Sequence, residues 1–142
     1  MTVVPNWKSR QERLHILAHE ICHRQVMQRH SLARRPWIAE MLAELAARRV
    51  LCEEGSAEYA KQVAQNWNDW APPLSVTRLK WIRRHSSYPD GLYTGSVRVG
   101  TQLEALIGWE ALCGLATYHT WREWLNTLPE EERAQVRRLL HL

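Results

Sequence analysis

Apolar residues recur every three or four positions along most of the chain, the period of helices packed against a core. In the first stretch the apolar positions are Leu14, Leu17 and Ile21, and in the second they are Ile38, Leu42, Leu45 and Ala46. The first pattern predicts a helix from about Ser9 to His30 with Leu14, Leu17 and Ile21 on its core face. The second predicts a helix that starts near Pro36 and continues towards Trp70, with or without a break at Gly55, until Pro72-Pro73 ends it. Four Ser/Thr-x-x-Glu pairs mark helix starts: Ser9 with Glu12, Thr101 with Glu104, Thr120 with Glu123 and Thr127 with Glu130. In each, the hydroxyl can accept an unpaired backbone N–H while the carboxylate reaches back to another. Pro129 then falls in the first turn of the last helix, where its missing N–H costs little. Residues 74–85 fit a strand or a helix, and Tyr88 to Gly95 holds Pro89, Asp90 and two glycines, which is turn chemistry. Three short helices close the chain. Strand signals are few, so the expected class is mainly α: one compact helical domain over residues 1–142 with little or no β-sheet.

Composition narrows the function classes. No run approaches the roughly 18 apolar residues of a membrane span, and Met1 to Ser9 lacks the apolar stretch of a signal peptide. Cys22, Cys52 and Cys113 form an odd set without disulfide spacing, which fits a reducing, cytoplasmic setting. The charge is a modest +4, from 19 basic and 15 acidic residues. The arginine pairs Arg34-Arg35, Arg48-Arg49, Arg83-Arg84 and Arg137-Arg138 are scattered, as on solvated helix faces, and a nucleic-acid patch would need them on one face. Eight tryptophans stand in a chain with no phenylalanine. Trp67, Trp70, Trp81, Trp109, Trp121 and Trp124 are expected to supply core bulk rather than a stacking platform for bases.

The chemistry lies in the first helix. Residues 19–23 read His-Glu-Ile-Cys-His. Histidines four apart project from one helix face, so two imidazoles can converge on one ion, and Glu20 lies at the edge of that face. His15, one turn back, leaves open a helix simply rich in exposed histidine. Zinc in a catalytic site takes three protein ligands and a water, so a third ligand must come from elsewhere. Residues 53–59, Glu-Glu-Gly-Ser-Ala-Glu-Tyr, offer Glu54 and Glu58 four apart on one face. One can ligate zinc while the other accepts the second ring N–H of a ligating histidine. A solvated acidic face would look the same.

His-Glu-x-x-His followed by Glu-Gly-x-Ala-Glu-Tyr resembles the gluzincin metallopeptidases. The second segment is similar to that of bacterial collagenases and small thermolysin-like peptidases. The resemblance implies that Glu54, immediately before Gly55, is the third zinc ligand and that Glu58 orients a ligating histidine. It also implies that Tyr93, in Tyr-Thr-Gly-Ser, hydrogen-bonds the developing oxyanion, with Tyr88, His85 and His119 as rivals for that role. It spans roughly residues 12–112. Gluzincins place a sheet before this helix, and its edge strand holds the peptide substrate. Only 18 residues precede His19. Either a strand over Ser75 to Ile82 takes its place, or the substrate is held differently, as on an edge supplied by a partner protein, or proteolysis has been lost.

Two functions from different classes follow. The first is a zinc hydrolase of peptide or amide bonds, with Glu20 as general base. The second is a non-catalytic helical module that keeps the fold and binds protein or nucleic acid. The intact set His19, Glu20, His23, Glu54 and Glu58 points to the first, with a peptide or protein as substrate, while the missing sheet and the basic balance point to the second; the scattered arginines and the lack of an apolar run leave nucleic acid and membrane as unexpected partners.

Overall fold

A computed structural model of the chain describes residues 9–84 and 87–142, without the side chains of Trp67, Asn68 and Trp70. The described residues form eight α-helices and two 3-10 turns, with no strand among them. In chain order the helices are α1 (Arg10–Met27), α2 (Pro36–Glu53), α3 (Ala57–Trp70), α4 (Val76–Trp81), α5 (Gly91–Ile107), α6 (Trp109–Cys113), α7 (Trp121–Leu125) and α8 (Glu130–Leu140). None is long and apolar enough to cross a membrane.

The centre of the fold is α2. Pro36 occupies its first turn, where a proline costs no hydrogen bond, and twelve of its residues are buried, among them Trp37, Ile38, Met41, Leu42 and Leu51. It ends at Glu54-Gly55, where Gly55 takes φ +80°, a conformation that a side chain disfavours. The chain then re-enters helix at Ala57, so the break at Gly55 is real. Helix α5 lies against α2 at close range: a Cβ placed on Gly100 would stand 2.3 Å from Met41 Cγ. Helix α1 packs along α2 on another side, joined to it by residues 28–35 and the 3-10 turn Leu32–Arg34.

Two of the four predicted caps form. Ser9 Oγ accepts the Glu12 N–H at 3.1 Å, and Thr120 Oγ1 accepts the Glu123 N–H at 3.2 Å. The other two do not. Thr101 lies inside α5, and its hydroxyl donates to the Val97 carbonyl at 2.8 Å. Thr127 donates likewise to the Trp124 carbonyl, and α8 starts three residues later. A hydroxyl that back-bonds to the preceding turn mimics a cap in sequence without starting a helix.

Other expectations fail for packing reasons. Residues 76–81 are helix, capped by Ser75, so no strand forms there to hold a peptide. Gly91 and Gly95 sit in α5 rather than in a turn, because the segment from Pro72 to Leu74 crosses that helix at backbone contact. Leu17 and Ile21 are 58% and 48% exposed, and Trp81 is 75% exposed. Trp124 is fully buried and donates its indole N–H to the Ala111 carbonyl at 2.9 Å, while Trp109 and Trp121 are half-buried. The side chains of Trp67 and Trp70, and all of His85, lie outside the described residues.

Candidate metal centre

Helix α1 turns a polar face inward. His15, His19 and His23 repeat every fourth residue, so they form one row down the helix. On α2 the facing row is Glu40, Glu44 and Arg48, at the same spacing. The helices run antiparallel, as the pairing order shows: His15 meets Glu44, His19 lies between Glu44 and Glu40, and His23 meets Glu40. The seam is secluded, since the Glu44 side chain is 2% exposed and that of Glu40 10%.

His19, His23 and Glu40 present three ligand atoms within 4.8 Å of one another. His23 Nε2 and Glu40 Oε1 are hydrogen-bonded at 2.5 Å. His19 Nε2 and Glu40 Oε2 stand 3.3 Å apart, close enough for ion pairing but out of line for a hydrogen bond, which leaves this buried oxygen without one. A tetrahedron with zinc–ligand distances of about 2.0–2.1 Å has an edge of about 3.3–3.4 Å. A buried, unbonded carboxylate oxygen facing an imidazole nitrogen across that distance fits a small divalent cation.

The rest of the seam prepares His19 for that role. Its Nδ1–H donates to Glu44 Oε2 at 3.0 Å, and an ionised carboxylate can only accept, so the Nδ1 proton is fixed. Nε2, the nitrogen facing Glu40, is then the one available to a metal, and its basicity is raised by the carboxylate behind the ring. Glu44 is held in turn by His15 Nε2–H at 2.9 Å and Arg48 Nε–H at 3.2 Å, both to Oε1.

Metal-free, this arrangement is an ion-pair cluster. Burial alone would lower the His19 pKa, but the close approach and negative charge of the Glu40 and Glu44 carboxylates outweigh it and lift the value to about 9. Burial pushes the carboxyls of Glu40 and Glu44 upward, yet hydrogen bonds from the histidines prevail and hold both below the usual carboxylate range.

The predicted residues separate into two groups. Glu20 is exposed and lines a cleft of about 520 Å³ together with His23, Glu40, Arg24 and Met27. Tyr93 lies half-buried in the first turn of α5, and its hydroxyl pKa is raised, first by burial and then by the charge of Glu40, with smaller contributions from Tyr88, Asp90 and Glu20. Glu54 and Glu58 do not join them. Glu54 caps the end of α2 and lies 3.8 Å from Arg10, in the first turn of α1. His19 is nine residues further along, about 13 Å by helical rise. Glu58 is 91% exposed and pairs with Lys61 at 3.4 Å. The antiparallel packing of α1 on α2 sets this register, and it brings the middle of α2, not its end, to the histidines. A sequence signal for Glu40 and Glu44 does exist: two glutamates four apart inside the apolar run Trp-Ile-Ala-Glu-Met-Leu-Ala-Glu-Leu.

No family model matches the chain, and neither a curated protein nor a solved structure is found to match it.

Proposed function

We propose that the chain binds one zinc ion through His19, His23 and Glu40 and hydrolyses peptide or amide bonds in the cleft beside Glu20. The observation that carries this reading is the convergence of the two motif histidines on a buried glutamate, with a second buried glutamate orienting one of them. Two imidazoles and a carboxylate suit zinc with a coordination position left open. When bound, zinc supplies Lewis acidity, polarising a carbonyl and making water more acidic.

The chain's own groups provide the rest. Glu20 follows His19 on the same helix and reaches the cleft without being a ligand, so its carboxylate can take the proton of an attacking water and deliver it to the leaving amine. Tyr93 keeps its phenolic proton and can donate it to the oxyanion that develops on the substrate carbonyl. Glu44 holds the His19 ring in place. This constellation keeps the resemblance to gluzincins in the motif helix and moves the third ligand from Glu54 to Glu40.

The test is Glu20→Gln. It should retain zinc like the wild type and lose at least about 10²-fold in hydrolysis of a peptide library. One observation favours a second reading: no strand among the described residues offers an edge for a peptide. A non-catalytic metal module would hold zinc, cleave nothing as wild type, and behave identically as Glu20→Gln.

A further inference from the structure

The cleft beside the metal centre is walled by the last turns of α1 and by Glu40 of α2. Among the described residues, Arg24 is the one arginine or lysine that lines it. Arg24 follows Glu20 by four residues, so the two share a face of α1, in the order that favours pairing. Even so they form no ion pair, and no other carboxylate of the described residues pairs with Arg24. Both residues are exposed. A group that binds Arg24 from solution therefore displaces water and breaks no internal contact.

With zinc bound, the double charge of the ion is offset by Glu20 and Glu40, and Arg24 leaves the cleft one positive charge in excess. The direction of the reaction sets where that charge falls on a substrate. In the proposed hydrolysis Glu20 passes a proton to the leaving amine, and in a peptide that amine belongs to the fragment on the C-terminal side of the broken bond. Arg24 lies about 6 Å beyond Glu20 along the helix axis. That is less than two residues of extended chain, at about 3.3–3.6 Å each. A C-terminal carboxylate on a departing residue or dipeptide falls within this range, and so does an acidic side chain there.

We propose that Arg24 anchors a carboxylate on the leaving fragment of the substrate, so that the cleft selects peptides carrying one close behind the bond to be cleaved. This rests on the hydrolase reading of the same site and adds its substrate class. A planar guanidinium takes both oxygens of a carboxylate in paired hydrogen bonds. Substrate filling the cleft excludes water from that pair, which strengthens it relative to a pair on open surface.

The test is calorimetric titration of zinc-loaded protein with N-hydroxysuccinamic acid, a zinc-binding hydroxamate joined to a carboxylate, and with its methyl ester. The acid should bind at least about tenfold more tightly than the ester. Arg24→Gln should erase that preference without changing zinc content, and Arg24→Lys should restore part of it. Arg13→Gln, exposed on α1 outside the cleft, should behave as wild type. Equal affinity for acid and ester in wild type, or a preference that survives Arg24→Gln, overturns the role of Arg24 and leaves the zinc reading standing. A protein that takes up no zinc overturns both. An Arg24-dependent preference in a protein that cleaves nothing upholds the anchor and refutes only the hydrolase. Peptides with free or amidated C-termini, each with and without a glutamate after the cleaved bond, separate the two sources of the carboxylate. Cleavage confined to free acids assigns Arg24 to the chain end, and cleavage of amides only where glutamate is present assigns it to a side chain. Cleavage of all four alike overturns the proposal. For the favoured peptide, Arg24→Gln should raise KM at least about tenfold with kcat little changed.

Discussion

Replacing Glu44 by Gln removes one of two acceptor oxygens and the negative charge while leaving the size of the side chain unchanged. In the native seam Oε2 accepts from His19 Nδ1 at 3.0 Å, Oε1 accepts from Arg48 at 3.2 Å, and His15 Nε2 lies 2.9 Å from Oε1 and 3.1 Å from Oε2. Glutamine can keep an oxygen on one side only. If its NH2 faces His19, Nδ1 must become the acceptor and the ring proton moves to Nε2, the nitrogen needed by a metal. If its NH2 faces His15 and Arg48, the buried guanidinium loses its acceptor, and Arg48 Nη2 already has none. Loss of a carboxylate behind a ligating histidine typically lowers metal affinity about 10–100-fold, which is about 1.4–2.8 kcal/mol. Breaking a buried ion pair costs about 3–5 kcal/mol of stability, and the Glu44 side chain is only 2% exposed, so solvent screens little of it. Competition with a chromophoric chelator at neutral pH reads the first quantity, and thermal unfolding of the metal-free protein reads the second. A Glu44→Gln variant that binds zinc as tightly as wild type, alongside a weakened Glu58→Ala, would refute the reasoning.

Three further outcomes are expected. Glu40→Gln should lower zinc affinity by more than about 10²-fold, whereas Glu54→Ala should leave it unchanged, since its exposed pair with Arg10 is worth under about 1 kcal/mol; the same chelator competition decides, and the reverse pattern would restore Glu54 as ligand. For metal-free protein the His19 pKa, raised from 6.5 to about 9, gives stability that is complete below pH 6.5 and lost as the pH rises through 9. Glu40 and Glu44, held below 4.5, give stability present above that pH and lost on acidification, so this cluster favours the range between pH 4.5 and 6.5. Denaturant titrations across pH would show both limbs, and zinc affinity should rise about tenfold per pH unit from 6.5 towards 9 as the His19 proton is displaced; a flat profile contradicts the assignment. Gly100→Ala should destabilise by about 1–3 kcal/mol, because the added methyl meets the Cγ and Sδ of Met41, which is fully buried; an unchanged melting temperature would show that α2 and α5 separate freely.

Local signals were legible where the chain decides its own structure. The Ser9 and Thr120 caps and the start at Pro36 follow from residue chemistry within one turn, whereas the sequence left the break at Gly55 open. Periodicity failed where polar residues outcompeted apolar ones for the interior. In α1 it is the histidine row, not Leu17 and Ile21, that faces α2, since three imidazoles find two buried carboxylates there. Gly91 and Gly95 read as a turn because close approach of residues 72–74, the actual reason for glycine, is a tertiary fact. The two histidines and Glu20 were found by their spacing. The matching glutamates four apart in α2 carried the same signal, but the Glu-Gly-x-Ala-Glu-Tyr segment matched a family pattern and drew attention to the end of the helix. Which carboxylate meets the histidines is fixed by the register of two antiparallel helices, and no local pattern encodes it.

The two sides of the polar seam are anchored very differently. Helix α2 buries twelve residues in the core, whereas α1 buries only Val26 and leaves Ile16, Leu17 and Ile21 to solvent. Attachment of α1 therefore depends on charge and hydrogen bonds more than on oil, and its amides should exchange with solvent through local opening while those of α2 wait for global unfolding. Each half of the ligand set sits on a unit of different stability. An ion bridging His19, His23 and Glu40 would act as a clasp, raising the protection of α1 selectively and coupling the order of the first helix to metal supply.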